Sequence, residues 1–440
     1  MKIPPHQRLR LANGLKLILL PRADVPLIAV DAIVRGGARL DPEALAGLAS
    51  VTADMLTRGA GARDAFAFAD AVEGAGGSLD AGAHAEAVGL HAVFLRRDRA
   101  LMLELLADAL QRPRFDVSEL DRVRERRIEF IKATKDSEPQ SLIGNYGRAL
   151  LFGAHPFAKP IGGSERSLAA LQPKDLQHYA RDHLGADRTT LVFGGDFDVD
   201  ELGAEVEAAF GGWRAAKLPL PPLTEAPRVR GRRVRLIDAP ESTQTYFWIG
   251  NIGVARSYPQ RAALEITNTA FGGSFGSMLM QALRVRSGLS YSASSGFRRA
   301  SVPAEFSIGS FTETPSTTQA VTIALETLDA LKRENLGKRA IDSARSYILG
   351  QYPQGLETAA DWATALAELD LYDLPDSTID EFPDALRGVD AEQSRQVIAG
   401  AFPDSDDVDI VLIGDAAKIR TEAASFGTLS ERSLAAPEYS

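Results

Sequence analysis

The sequence predicts an α+β fold of two tandem homologous domains, each a mainly antiparallel sheet with helices packed on one face. Three observations carry this expectation. A proline cluster, AAKLPLPPLTEAPRVRG at residues 215–231, interrupts the hydrophobic periodicity and divides the chain into nearly equal halves. The halves open alike: residues 15–37 and 234–254 each read as strand, polar turn, strand. They also close alike, because residues 189–213 and 408–427 each read as an apolar strand ending in Gly-Asp and then a helix. The reading is a duplication with a period of roughly 215 residues. Residues 1–214 form an amino-terminal domain, 215–231 a linker and 232–440 a carboxy-terminal domain.

Within each half, the strand pair leads into a small-residue helical stretch with an apolar stripe, PEALAGLASVTADML in the first and PQRAALEITNTAFGG in the second. Longer helical runs such as SELDRVRERRIEFIKATKDSEPQSLIGNYGRALLFG separate the strand groups. The glycine-rich FGGSFG at residues 271–276 lacks a G-K-[ST] ending and lies between two helical stretches, which argues against a phosphate loop. Its expected role is a helix junction where backbones pass closely.

Composition excludes several function classes. The chain has 440 residues, 45% hydrophobic and 25% charged, as in an ordinary globular protein. A net charge of -10 argues against nucleic acid, which needs clustered Lys and Arg. Cysteine is absent, which removes disulfides, thiolate metal sites and a cysteine nucleophile. No run approaches the roughly 18 to 20 apolar residues of a membrane span. As written the chain is expected in the cytoplasm, or in the periplasm where a signal peptide has been removed ahead of this numbering.

Residues 47–55, GLASVTADM, lie in a frame with GGARLDPEA before and LTRGAGARDAFAFADAVEGAGGSLDAGAHAEAV after. That frame, together with AHPFAKPIGGSERSLAALQPKDLQHYARDHLGADRTTLVFGGDFD and FGGSFGSMLMQALRVRSGLSYSASSGF, resembles the pitrilysin, insulinase and mitochondrial-processing-peptidase family of inverted-zincin metallopeptidases. The resemblance spans both halves. It implies a chain forming half of a clamshell. It also implies a G-x-x-H-x-x-E-H-M-x-F segment whose two His bind zinc and whose Glu activates water.

Here those three positions are Ser50, Ala53 and Asp54. By the family's spacing the third ligand falls near Phe130, with Glu129 beside it. One or two carboxylates without His cannot make a catalytic zinc site, which takes three protein ligands and an open position. The six His, at positions 6, 84, 91, 155, 178 and 183, include no pair with H-x-x-x-H spacing. Ser50 lacks a G-x-S-x-G elbow and an identifiable base, so serine catalysis is not expected. No metal or other cofactor is expected in this chain.

In LRVRSGLSY, Arg284 and Tyr291 flank Gly288. The pattern predicts a helix, MLMQALRVRS, capped by Gly288 in the left-handed region, then a strand beginning near Leu289. Such a reversal can bring a guanidinium and a phenol to one space, as two donors for a developing oxyanion. The bland alternative pairs Arg284 with an acid on a neighbouring helix and packs Tyr291 in the sheet. The neighbouring Arg286 is assigned to a solvated face or a salt bridge. The resemblance implies that Arg284 and Tyr291 contact substrate beside zinc. It also implies that Ser78, Leu79, Asp80, Ala81, Gly82 and Ala83 form an edge strand able to hold an extended peptide.

Retained donors without metal ligands make the expected function that of the zinc-free, substrate-binding subunit of a heterodimeric zinc metallopeptidase, inactive alone. A homologous H-x-x-E-H-bearing partner would supply zinc, and bacterial paired subunits are the nearer comparison because no long glycine-rich loop is evident. The alternative is a structural or peptide-binding homologue without a peptidase partner. For a third possibility, an independent zinc peptidase with rearranged ligands, the sequence offers no ligand set.

Overall fold

Near-continuous buried runs at 17–20, 28–32 and 189–195, with alternation only at 87–95, place both faces of the central strands against packed layers. The computed structural model, which describes residues 2–440, contains two compact units. The first gathers Met1–Ile131, Lys159–Pro222 and Pro353–Asp380, and the second Lys132–Ala158, Leu223–Tyr352 and Glu381–Ser440.

The first unit holds β1 (Gln7–Arg10), β2 (Lys16–Pro21), β3 (Leu27–Arg35), β4 (Ser78–Ala83), β5 (Ala87–Leu95) and β6 (Thr189–Gly195) in the order β1-β2-β6-β3-β5-β4. All pairs are antiparallel except β2 with β6. Leu17, Leu19, Ile28, Val30, Phe94 and Phe193 point to a core closed by Val51, Met55, Met102 and Leu106 from helices. Strand β6 ends in Gly-Asp as the sequence predicts. Asp198 then caps the Val199–Phe210 helix, accepting from the N–H groups of Asp200 and Glu201 at 3.0 Å.

The second unit repeats the plan with β7 (Arg233–Asp238), β8 (Gln244–Ile252), β9 (Ala293–Phe297), β10 (Glu305–Glu313), β11 (Asp409–Gly414) and β12 (Thr428–Ser433), in the order β12-β7-β11-β8-β10-β9. Parallel pairs join β12 to β7 and β7 to β11, and the others are antiparallel. Its core gathers Val234, Phe247, Phe306 and Ile410 with Leu264, Leu283, Val321 and Leu328 from helices. Two six-stranded mixed sheets with helices thus give the α+β fold of two related domains.

Each sheet also carries one helix on the face opposite its core, drawn from the other half of the sequence. In the first unit the Ala359–Leu371 helix packs on β3 and β6. Polar pairs fix it there: Thr364 donates to the buried Asp31, while Asp370 accepts from Thr190 Oγ1 at 2.6 Å and Lys16 Nζ at 2.9 Å. In the second unit the Ile143–Phe152 helix packs on β8 and β11, and Gly147 lies so close to Trp248 that a Cβ there would stand 2.7 Å from the indole. The long helical run read from residues 118–153 therefore divides. It breaks into Val117–Ser137 and Ile143–Phe152 around Pro139, which cannot continue the hydrogen-bond ladder.

No helix among the described residues is long and apolar enough to cross a membrane.

Candidate functional site

The degenerate zinc positions lie on the Leu48–Leu56 helix. Its entry is built tightly. Gly47 takes φ 95°, and a Cβ there would meet Gly163 Cα at 2.7 Å. Asp41 receives the N–H groups of Gly47 and Ala49, each at 2.9 Å, in place of a capping side chain. Burial pushes the Asp41 carboxyl up to about 7, against the opposing pull of these N–H groups and of Lys159.

Val51, Ala53 and Met55 are fully buried, so Ala53 has no access to a ligand. Ser50 and Asp54, one turn apart, share the partly exposed face. Facing them from the Val117–Ser137 helix is Arg127, a residue the sequence reading did not single out. Its Nη1 donates to Ser50 Oγ at 3.0 Å, its Nη2 to the Ser50 carbonyl at 3.3 Å and to Asp54 Oδ2 at 3.1 Å, and its Nε to Asp54 Oδ2 at 3.3 Å. A guanidinium thus engages the only carboxylate of the motif. Phe130, at the expected third-ligand position, is 69% exposed.

The donor set does not fit zinc. It offers one hydroxyl and one carboxylate already bonded to a cation. Among the described residues no group of three or more His, Cys, Asp or Glu is gathered to hold a metal ion. Several histidines serve other contacts, such as His91 with Asp31 at 3.5 Å across β5 and β3 and His155 with the Thr224 carbonyl at 2.8 Å.

Ser78, Leu79, Asp80, Ala81, Gly82 and Ala83 form β4, the edge strand, paired only with β5. Leu79 is buried toward the core, whereas Ser78, Asp80 and Gly82 are exposed. The Leu48–Leu56 helix packs beside this strand.

In the second unit the chain around Arg284 is helical but widened. A π-helical turn at Thr269–Gly273 precedes a short α-turn at Met278–Met280, which opens into a second π-helical turn at Gln281–Arg286. Single π-turns recur at functional sites. At Gly272 a Cβ would stand 2.6 Å from the Ser295 backbone nitrogen, so FGGSFG is the close junction its glycines predict.

Gly288, at φ 67°, ends the second turn, and the N–H groups of Leu289 and Ser290 both close on the Leu283 carbonyl at 2.9 and 3.0 Å. The strand expected near Leu289 begins instead at Ala293. Hydrogen bonds from Ser290 Oγ to the Ser292 carbonyl, and from Ser310 Oγ to both residues, hold residues 290–292 as a turn. Tyr291 therefore projects from a turn and is 71% exposed.

The turn brings Arg284 and Tyr291 together. The guanidinium carbon lies 4.3 Å from the Tyr291 ring centroid and 4.7 Å from that of Phe275, which is 66% exposed. Among the described residues no carboxylate pairs with Arg284 within 4.0 Å, so the acid-paired arginine and sheet-packed tyrosine of the bland reading are not what forms. Phe275 also escaped the sequence reading, although FGGSFG holds two phenylalanines and only Phe271 is buried. Beside this cluster runs a groove of about 1100 Å³, lined in part by Phe275, Met278, Arg286, Ile323, Ala340 and Tyr347. Arg286 faces this groove and solvent without an ion pair among the described residues.

Fold and degenerate helix define a class: a metallopeptidase homologue of the inactive type, without the ligands of a zinc site. Residues 20–163 match the family model described as insulinase (peptidase family M16), and residues 170–348 match the model described as peptidase M16 inactive domain. The chain belongs to peptidase family M16. It is similar to an uncharacterized zinc protease of Mycobacterium leprae, 26% identical over 365 residues, 83% of this chain and 82% of that protein. A non-peptidase homolog of Helicobacter pylori, YmxG, is 24% identical over 339 residues, 76% of this chain and 77% of that one. Among solved structures, a peptidase M16 inactive domain from Pseudomonas fluorescens has the same fold, with a TM-score of 0.86 at 22% identity over 93% of this chain and 98% of that one. A protease from Helicobacter pylori matches with a TM-score of 0.83 at 16% identity, covering 93% and 99%.

Proposed function

We propose that this chain is the zinc-free, substrate-binding subunit of a heterodimeric zinc metallopeptidase. Arg284 and Tyr291 act in trans, donating hydrogen bonds to the peptide carbonyl at the zinc site of a homologous H-x-x-E-H-bearing partner. Strand β4, from Ser78 to Ala83, adds an extended peptide to its free edge. Residues 1–214 and 232–440 are the two homologous domains, joined by the 215–231 linker.

One observation carries the reading. Arg284 lies over the Tyr291 and Phe275 rings and has no carboxylate partner among the described residues, beside a Tyr291 exposed to solvent. A structural arginine is ordinarily neutralised, whereas a cation kept free and oriented is ready for a substrate carbonyl. The test is a peptidase assay of this chain, of the partner and of their mixture. Activity confined chiefly to the mixture is expected; a partner fully active alone, with no gain on mixing, rejects the subunit role.

A second reading makes the chain a peptide-binding or structural homologue without a peptidase partner. It is favoured by the likeness to a relative named a non-peptidase homolog. Peptide binding by the isolated chain, with no rate enhancement from any H-x-x-E-H homologue, would establish it.

A further inference from the structure

We infer that the guanidinium of Arg127 takes the place of a metal ion: it is the built-in cation of the degenerate site, joining the Leu48–Leu56 helix to the Val117–Ser137 helix and closing the site to divalent cations. The inference concerns the first unit alone and is independent of any partner.

The geometry is that of a ligated cation. Ser50 and Asp54, one turn apart, are converged upon by three nitrogens of a single side chain at 3.0 to 3.3 Å. A planar guanidinium can bridge a hydroxyl, a carbonyl and a carboxylate at once, which an ammonium could not do with the same fixed geometry. The site is partly shielded, with Arg127 and Asp54 side chains 23% and 28% exposed. A divalent ion entering here would have to share one carboxylate with a fixed positive charge. The absence of His at positions 50 and 54 is therefore not the whole reason the helix excludes a metal; a positive charge is supplied there from the neighbouring helix.

Zinc titration by calorimetry of four proteins tests this. Ser50→His supplies an imidazole one turn from the native Asp54 but leaves Arg127 bound to that carboxylate. Ser50→His with Arg127→His frees Asp54 and adds a second imidazole where the guanidinium enters. Arg127→Leu removes the cation without adding a ligand. The double variant should bind close to one equivalent of zinc, at least about tenfold more tightly than the Ser50→His protein, because three ligands then converge. Arg127→Leu should bind none, yet melt at a lower temperature than wild type through loss of the interhelical bridge. Ser50→His with Arg127→Leu frees Asp54 without adding a ligand; it should also bind zinc more tightly than Ser50→His, which separates loss of the cation from gain of a ligand, and it is read in place of the double variant should that one fail to fold. Equal zinc affinity with and without Arg127, or no binding in any folded variant, overturns the inference.

Discussion

The Arg284 guanidinium stacks 4.3 Å from the Tyr291 ring centroid, across a turn created by Gly288 in the left-handed region. Phe275 lies against the same guanidinium at 4.7 Å, so the cation contacts two exposed rings and no carboxylate among the described residues. Such cation–π contacts hold the guanidinium by its charge and use none of its five N–H donors in a conventional hydrogen bond.

Stacking and donation can be separated by substitution. Tyr291→Phe keeps a ring against Arg284 and removes only the hydroxyl. In the reconstituted heterodimer it should lower kcat about 10²-fold with KM little changed, as for loss of one oxyanion donor. Phe275→Ala keeps both donors and loosens one side of the stack, so a loss of about two- to fivefold in kcat/KM is expected. Steady-state kinetics on both variants checks the order of these effects; a larger loss for Phe275→Ala assigns the work to packing.

Gly47→Ala should destabilise the first unit by about 1 to 3 kcal/mol, measured by denaturant unfolding. The added Cβ is strained at φ 95° and meets backbone at Gly163, which cannot swing aside as a side chain can. Unchanged stability contradicts the tight entry described for the Leu48–Leu56 helix.

Asp41 makes stability depend on pH. Its folded pKa is raised to about 7 from an ordinary value of 3.8, so the folded state holds this proton where the unfolded chain has released it. The contribution is fully present below about pH 4 and is lost as pH rises through about 7. Asp41→Asn removes the titration while keeping one oxygen as an acceptor. The difference in melting temperature between wild type and this variant should therefore move in the variant's favour from pH 4 to pH 7 and level off above. A flat difference across that range contradicts the assignment.

Much of the fold was legible because its signals are local. The strand, polar turn, strand pattern marked β2, β3, β7 and β8, and the Gly-Asp that follows the apolar runs of β6 and β11 marked the helices after them, which Asp198 and Asp415 cap. Other features depend on distant partners. Nothing near Thr364 reveals that it will bond Asp31, and Gly147 shows its purpose only beneath Trp248. The strand start at Ala293 was misplaced because the serine-rich turn before it carries no apolar alternation. At the site, Arg284 and Tyr291 could be paired through the Gly288 cap, whereas Arg127 is one of four arginines in RVRERR and only the helix phase selects it. Phe275 is chosen by exposure, which composition does not reveal.

The central claim is that this chain supplies donors to a zinc site in another chain. It is tested most directly by kcat/KM of the reconstituted heterodimer carrying Arg284→Ala, with assembly verified by light scattering. The account predicts an intact complex whose kcat/KM falls about 10²- to 10³-fold. Wild-type turnover from the assembled Arg284→Ala complex would contradict it.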